Sequence, residues 1–295
     1  MECVNFEKNK QKIALLTDSC ADLSAQQRGG TPIFVLPLCI HCGDQEYADG
    51  ETIFAQDVYR HLEEGELPKT SLPDGGRLNA ILDEIAAQGY EKVLAIHLSA
   101  GLSGTYNMVR IQGESRDDLE VAVFDSVSGS LGMGAVVLQA WEDIQGGMSW
   151  EELTQKRVPQ LIANTFPYFS VDTLEYLLKG GRIGKVTALT GTMLNIKPIV
   201  GFAPDGQLAS VAKVRGRKAV QGKLVDQLRA KLGSHTRYNL AVANGGAPEE
   251  MEQLAQKVKE AFPNYEHFWT GELDATLSVY IGSGMLGACI QFLDE

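Results

Sequence analysis

The 295 residues include 26 Lys and Arg against 38 Asp and Glu, a formal net charge of −12, so polyanions such as nucleic acid and anionic membrane surfaces are excluded as default partners. With 44% hydrophobic residues the chain has the length and composition of about two folded domains on a ~150-residue scale, and no apolar run reaches the ~18 residues that a membrane span requires. The stretch MECVNFEKNKQK lacks the apolar centre of a signal peptide, which points to the cytoplasm.

In chain order, KIALLTDS (12–19), EKVLAIHLS (91–99) and EVAVFDS (120–126) are apolar runs ending in polar residues, the pattern of buried parallel strands. Between them lie FAQDVYRHLEEG (54–65) and RLNAILDEIAAQG (77–89), helical patterns each closed by a glycine. Strand and helix in alternation predict a parallel α/β sheet, with ligands gathering at the carboxyl ends of its strands. Residues 130–163 read as one or two long helices parted at Gly146-Gly147, with the domain change just after them, giving an N-terminal α/β domain over 1–165 and a C-terminal mixed α/β domain over 166–295. In the second half Asp172 and Glu175 have capping-box spacing before a helix that Gly180-Gly181 stops, leaving Arg182 just past its end. IKPIVGF, APDG and QLASVAKV then form a hairpin signature.

Most motifs with a chemical look fail on context. Cys39 and Cys42 have a CxxC spacing, but there is no second pair to complete a metal site, and the five cysteines (Cys3, Cys20, Cys39, Cys42 and Cys289) read as reduced thiols. GSGMLG (282–287) matches a dinucleotide fingerprint with only eight residues after it, too few for a βαβ unit, and GGRIGK (180–185) is not a phosphate loop. Ser103 in HLSAGLSGTYNMV is open to three readings: nucleophile, anion-binding donor or helix cap. The first needs a base, and His97 is the nearest histidine in sequence. Thr70 and Ser71 in KTSLPDGG, Ser103 and Thr105 in LSGTY, and Tyr280 and Ser283 in YIGSG are turn or cap residues singly; together they are enough hydroxyls to hold a carboxylate or phosphate. The basic run Lys213, Arg215, Arg217, Lys218 and Lys223 is open to two readings, a surface for an acidic partner or phosphate and a solvated helix start.

In order along the chain, LLTDSCADLS, LPLCI, YADGETI, KTSLPDG, LSGTY, FDSVSGSLGMG and above all residues 173–219 resemble the DegV family nearly from end to end. The resemblance implies a two-domain α/β fold and a non-catalytic bacterial protein that buries a long-chain, palmitate-like fatty acid between and within its domains. No other cofactor and no metal is implied. It makes Thr70 and Ser103 the leading carboxylate contacts with Ser71, Gly104, Thr105 and Tyr280 beside them, puts Arg182 in the cleft, and assigns Arg215 and Arg217 to a surface offered to a partner fatty acid kinase, with a role in lipid transport or fatty acid metabolism. Tyr280 stands where family members commonly have histidine, and Asp74 where they have a second hydroxyl. The rival expectation is an acyl hydrolase or acyltransferase with Ser103 as nucleophile.

Overall fold

The computed structural model describes residues 9–189 and 195–294, so Cys3 and residues 190–194 of the 173–219 block lie outside the described residues. Strand β1 (Ile13–Asp18) has no exposed side chain, as a strand covered on both faces requires. After β2 (Ile33–Leu36) the chain makes β3 (Cys39–Cys42), β4 (Gln45–Ala48) and β5 (Lys69–Ser71), a small antiparallel sheet ordered β4-β3-β5. Strands β6 (Lys92–His97) and β7 (Glu120–Asp125) then complete a parallel sheet, β2-β1-β6-β7. The helices Ala55–Glu63 and Gly75–Ala87 follow the expected patterns.

The small sheet departs from the expectation at KTSLPDGG, where Lys69–Ser71 pair with β3 and only the remainder turns. Asp74 accepts the Arg77 N–H at 2.7 Å and caps the following helix, so its carboxylate is committed to backbone. Cys39 and Cys42 lie three residues apart on β3 and therefore on opposite faces, which rules out their acting as one thiol pair.

Leu131–Gln145 is one helix, stopped at Gly146. A second helical stretch runs from Trp150 to Ala163, widened to π geometry over Leu153–Arg157, just ahead of Pro159, which has no N–H to give an α-helical ladder. Strands β8 (Thr165–Ser170), β9 (Ile196–Phe202), β10 (Leu208–Arg215), β11 (Tyr238–Gly245), β12 (Phe268–Glu272) and β13 (Met285–Phe292) form the second large sheet, ordered β10-β9-β8-β13-β11-β12 and antiparallel except for β11 with β12. The β9–β10 hairpin is as its sequence predicts.

The helix Leu131–Gln145 is buried along most of its length because it packs on β1 and β6 of one sheet and on β8, β11 and β12 of the other. It is the shared core of the two halves. The expected capping box at Asp172 and Glu175 does not form. Thr173 Oγ1 accepts the Glu175 N–H at 3.1 Å, and Asp172 is drawn instead to Lys197 Nζ, 2.7 Å away, and Arg217, 3.4 Å away. Two cations outcompete one backbone amide for that carboxylate. Among the described residues no helix is long and apolar enough to cross a membrane.

Candidate functional site

Between the two large sheets lies a cavity through which the centre of a water molecule can move over about 180 Å³. On that measure a single water needs only ~10–15 Å³. Its long walls are apolar: Leu98 and Leu131 from the first half, Phe169, Phe202 and Met285 from the strands of the second, and Leu277 from the helix Ala275–Ile281. Gly287 of GSGMLG is part of the β13 wall, which gives that motif a packing role.

Polar groups gather where Thr70, Ser71, Ser103, Gly104, Arg182 and Tyr280 reach the same cavity. Thr70 Oγ1 and Tyr280 Oη are 2.5 Å apart, and the Arg182 guanidinium lies over the Tyr280 ring at 4.9 Å. Arg182 is steered there by backbone, donating to Gly180 O at 2.8 Å and to Leu102 O at 3.4 Å. Gly180 must be glycine for this contact, because a Cβ there would sit 2.3 Å from the Tyr280 ring. Thr70, Arg182 and Tyr280 also wall an outer recess that includes Lys69 and Lys179, so the polar end faces outward.

Ser103 precedes the helix Thr105–Glu114, whose N-cap position is Gly104. Ser103 Oγ accepts the Thr105 N–H at 3.3 Å and lies 2.9 Å from Thr105 Oγ1. When Thr105 donates to Ser103, the Ser103 proton is released toward the cavity. Thr105 itself is fully buried behind Ser103 and outside the cavity wall. Ser71 Oγ is shared with His41 Nε2 at 3.0 Å. Among the described residues no histidine hydrogen-bonds to Ser103; His97 is fully buried with Nδ1 2.9 Å from Asp18 Oδ2, so the base that a nucleophilic Ser103 needs is missing from its surroundings.

The two arginines expected on a partner surface have different fates. Arg215 is exposed at the end of β10. Arg217 is half-buried in a two-pronged pair with Glu250 at 2.9 and 3.1 Å, with Asp172 beside it, so its charge is spent inside the molecule.

A carboxylate cluster at the start of Ala275–Ile281 went unseen in the sequence reading. Asp22 accepts the Asp274 N–H at 2.8 Å, Asp49 accepts those of Ala275 and Thr276 at 3.0 and 3.1 Å, and Asp274 accepts that of Leu277 at 2.8 Å. Cys20 brings its thiol within 4.8 Å of donor atoms of Asp49 and Asp274, a spacing that suits a cation. Burial, reinforced by the neighbouring carboxylates, raises both the Cys20 thiol and the Asp274 carboxyl, favouring their protonated forms, and four of the carboxylate oxygens, though not Asp274 Oδ2, already receive N–H groups. The cluster therefore caps a helix.

Fold and site together define a class: a two-domain α/β protein whose halves close over a largely apolar cavity that hydroxyls and one arginine also line. Residues 12–293 match the family model described as "Uncharacterised protein, DegV family", and the chain belongs to the DegV family. A DegV domain-containing protein of Clostridium acetobutylicum is 36% identical over 280 residues, 95% of this chain and 99% of that one. Among solved structures, a DegV family protein from Thermus thermophilus described by its fatty acid binding superposes with a TM-score of 0.89 at 30% identity, over 95% of this chain and 99% of its own. DegV of Bacillus subtilis, described as a fatty acid binding protein, gives 0.84 at 28% identity, again over 95% and 99%.

Proposed function

We propose that this protein is a non-catalytic carrier that buries the chain of a long-chain fatty acid in the apolar cavity and holds its carboxylate among Thr70, Ser103 and Tyr280, with Ser71 and the Gly104 backbone alongside. The observation that carries this reading is the cavity itself: mostly apolar along its walls, with Arg182 and the hydroxyl-bearing Thr70, Ser71, Ser103 and Tyr280 converging on it. The Thermus and Bacillus relatives, both described as binding fatty acids, support it.

The energetics divide the work. At ~0.8 kcal/mol per buried methylene a sixteen-carbon chain offers of order 10 kcal/mol before ordering costs, so the walls supply most of the affinity. Each charge-assisted hydrogen bond adds only about 1.5–3 kcal/mol, but an unpaired buried carboxylate is far more costly, so the hydroxyls select the head group. Arg182 contributes positive field without leaving its backbone acceptors. Thr105 acts behind Ser103, by orienting its proton.

On the same reading the domain boundary falls near residue 165, the site works in the cytoplasm, and the outward-facing polar end presents the carboxylate to a partner kinase, with the exposed Arg215 as part of the docking face and Arg217 excluded from it. The test is titration of delipidated protein with hexadecanoic acid and with hexadecanol. The acid is expected to bind, the alcohol to bind at least tenfold more weakly, and Ser103→Ala to narrow that gap several-fold with the melting temperature unchanged. Equal response of parent and variant to both ligands would remove Ser103 from the site. A covalent acyl adduct on Ser103, seen by mass spectrometry, would replace the carrier with an enzyme.

A further inference from the structure

Buried hydroxyls around the helix Ala275–Ile281 are matched almost one for one. Ser130 donates to Asp22, Ser278 donates to Tyr59 at 3.0 Å, and Thr70 is paired with Tyr280. Thr276 is the exception. Its side chain is 2% exposed, it lines the cavity, and its Oγ1 has no hydrogen-bond partner.

Local structure explains why the protein does not satisfy it. A helical threonine ordinarily donates to the carbonyl four residues back. For Thr276 that residue is Glu272, which lies in β12 before the helix begins. The nearby Asp49 carboxylate is taken by the Ala275 and Thr276 N–H groups. A buried hydroxyl left unmade is costly, and in a cavity wall it marks a place where the occupant is polar.

We propose that Thr276 reads a hydroxyl group on the bound acyl chain, so that the preferred ligand is a hydroxylated long-chain fatty acid. The position follows from the helix. Thr276 and Tyr280 are four residues apart, share the cavity-facing side and are separated by one turn, ~6 Å of rise. With the carboxylate held at Thr70 and Tyr280, as proposed above and on which this inference rests, the substituent lies toward the carboxyl end of the chain and not near its methyl end. The walls beyond, Phe169, Phe202 and Met285, are apolar and suit an unsubstituted tail.

The experiment is calorimetric titration of delipidated full-length protein with hexadecanoic acid and a positional series of monohydroxylated hexadecanoic acids. One isomer substituted near the carboxylate is expected to bind roughly tenfold more tightly than the parent acid, the size of one added hydrogen bond. Thr276→Val removes that preference and holds hexadecanoic acid at least as tightly, whereas Thr276→Ser keeps the preference and guards against a folding defect in the first variant. Hexadecanoic acid binding with no preferred isomer, the result expected if a trapped water serves Thr276, overturns the inference and leaves the carrier reading standing. So does a preference that survives in Thr276→Val. Failure of every acid to bind overturns both.

Discussion

Gly101→Ala is expected to destabilise the protein by roughly 3 kcal/mol or more, a fall in melting temperature of about 6–12 °C for a chain of this size, and to weaken fatty acid binding at least tenfold. The cause is contact between two backbones. A Cβ on Gly101 would lie 2.4 Å from the Gly206 carbonyl carbon and 2.6 Å from its oxygen. Neither atom is the end of a flexible side chain, so the β9–β10 turn has to lift. That turn is also held by Ser99 Oγ, which donates to Gly206 O at 2.8 Å and accepts the Gly101 N–H at 3.2 Å. Ser99 O in turn accepts the Leu102 and Ser103 N–H groups at 2.9 and 3.1 Å, so lifting the turn releases the loop that aims Ser103. Gly222→Ala is the control, since nothing lies within 4 Å of its Cβ and it sits inside the helix Val220–Leu232. Alanine there is expected to be neutral or stabilising by up to about 1 kcal/mol. Thermal unfolding of the two variants decides it, and a Gly101→Ala melting point equal to the parent's would remove the clamp.

How much of this was legible in the chain follows from how local each signal is. Strands β1, β6 and β7 were readable because each is an apolar run ending in polar residues, and the β9–β10 hairpin because APDG separates two β-prone runs. The small sheet was not, since three or four residues such as Lys69–Ser71 carry too few alternations to show a period of two. Hydroxyls at Thr70, Ser103 and Tyr280 were visible as residue types, but their convergence depends on a contact spanning 210 residues. The basic run misled in one respect: Arg217 is neutralised by Glu250 and Asp172, 33 and 45 positions away, which no local charge count reveals. Thr276 and Asp274 gave no local signal, and Asp22 and Asp49 stand in LLTDSCADLS and YADGETI with no sign there of a capping role. Each looks like any surface polar residue until the chain brings Asp22 and Asp49 to Asp274 and its helix.

Asp22 and Asp274 set a pH dependence opposite in sign to that of ordinary paired carboxylates. Burial is the main cause that raises Asp22 from 3.8 to about 7, and it raises Asp274 as well, with the charges of Asp49 and Asp22 adding to the effect. Groups facing the cluster offer no relief: the Cys20 thiol is pushed up, Tyr59 is pushed up to about 12, Asp18 is paired with His97, and no lysine or arginine bonds to the three carboxylates among the described residues. Because the folded state holds the proton more tightly than the unfolded chain, its stabilising effect is complete below the unfolded value of 3.8 and is lost as pH rises through about 7. Asp118 and Asp205, held down by hydrogen bonds from Arg116 and Lys185, act in the other direction, but only at acid pH where they take up protons. From about pH 5 to about 8.5 Asp118 and Asp205 therefore no longer contribute, while Asp22 and Asp274 do, in the same direction as Glu142, which burial also raises. Across that range the midpoint of urea unfolding is expected to fall with rising pH, corresponding to a loss of about a few kcal/mol of unfolding free energy in total. In Asp22→Asn, which keeps an acceptor for the Asp274 N–H without a charge, the slope should flatten and stability at the alkaline end should exceed the parent's. Fatty acid affinity should fall over the same window, because the helix these carboxylates cap carries Thr276, Leu277 and Tyr280 into the cavity. A parent midpoint that stays level or rises between those limits would mean that Asp22 and Asp274 ionise freely and that the helix is held by something else.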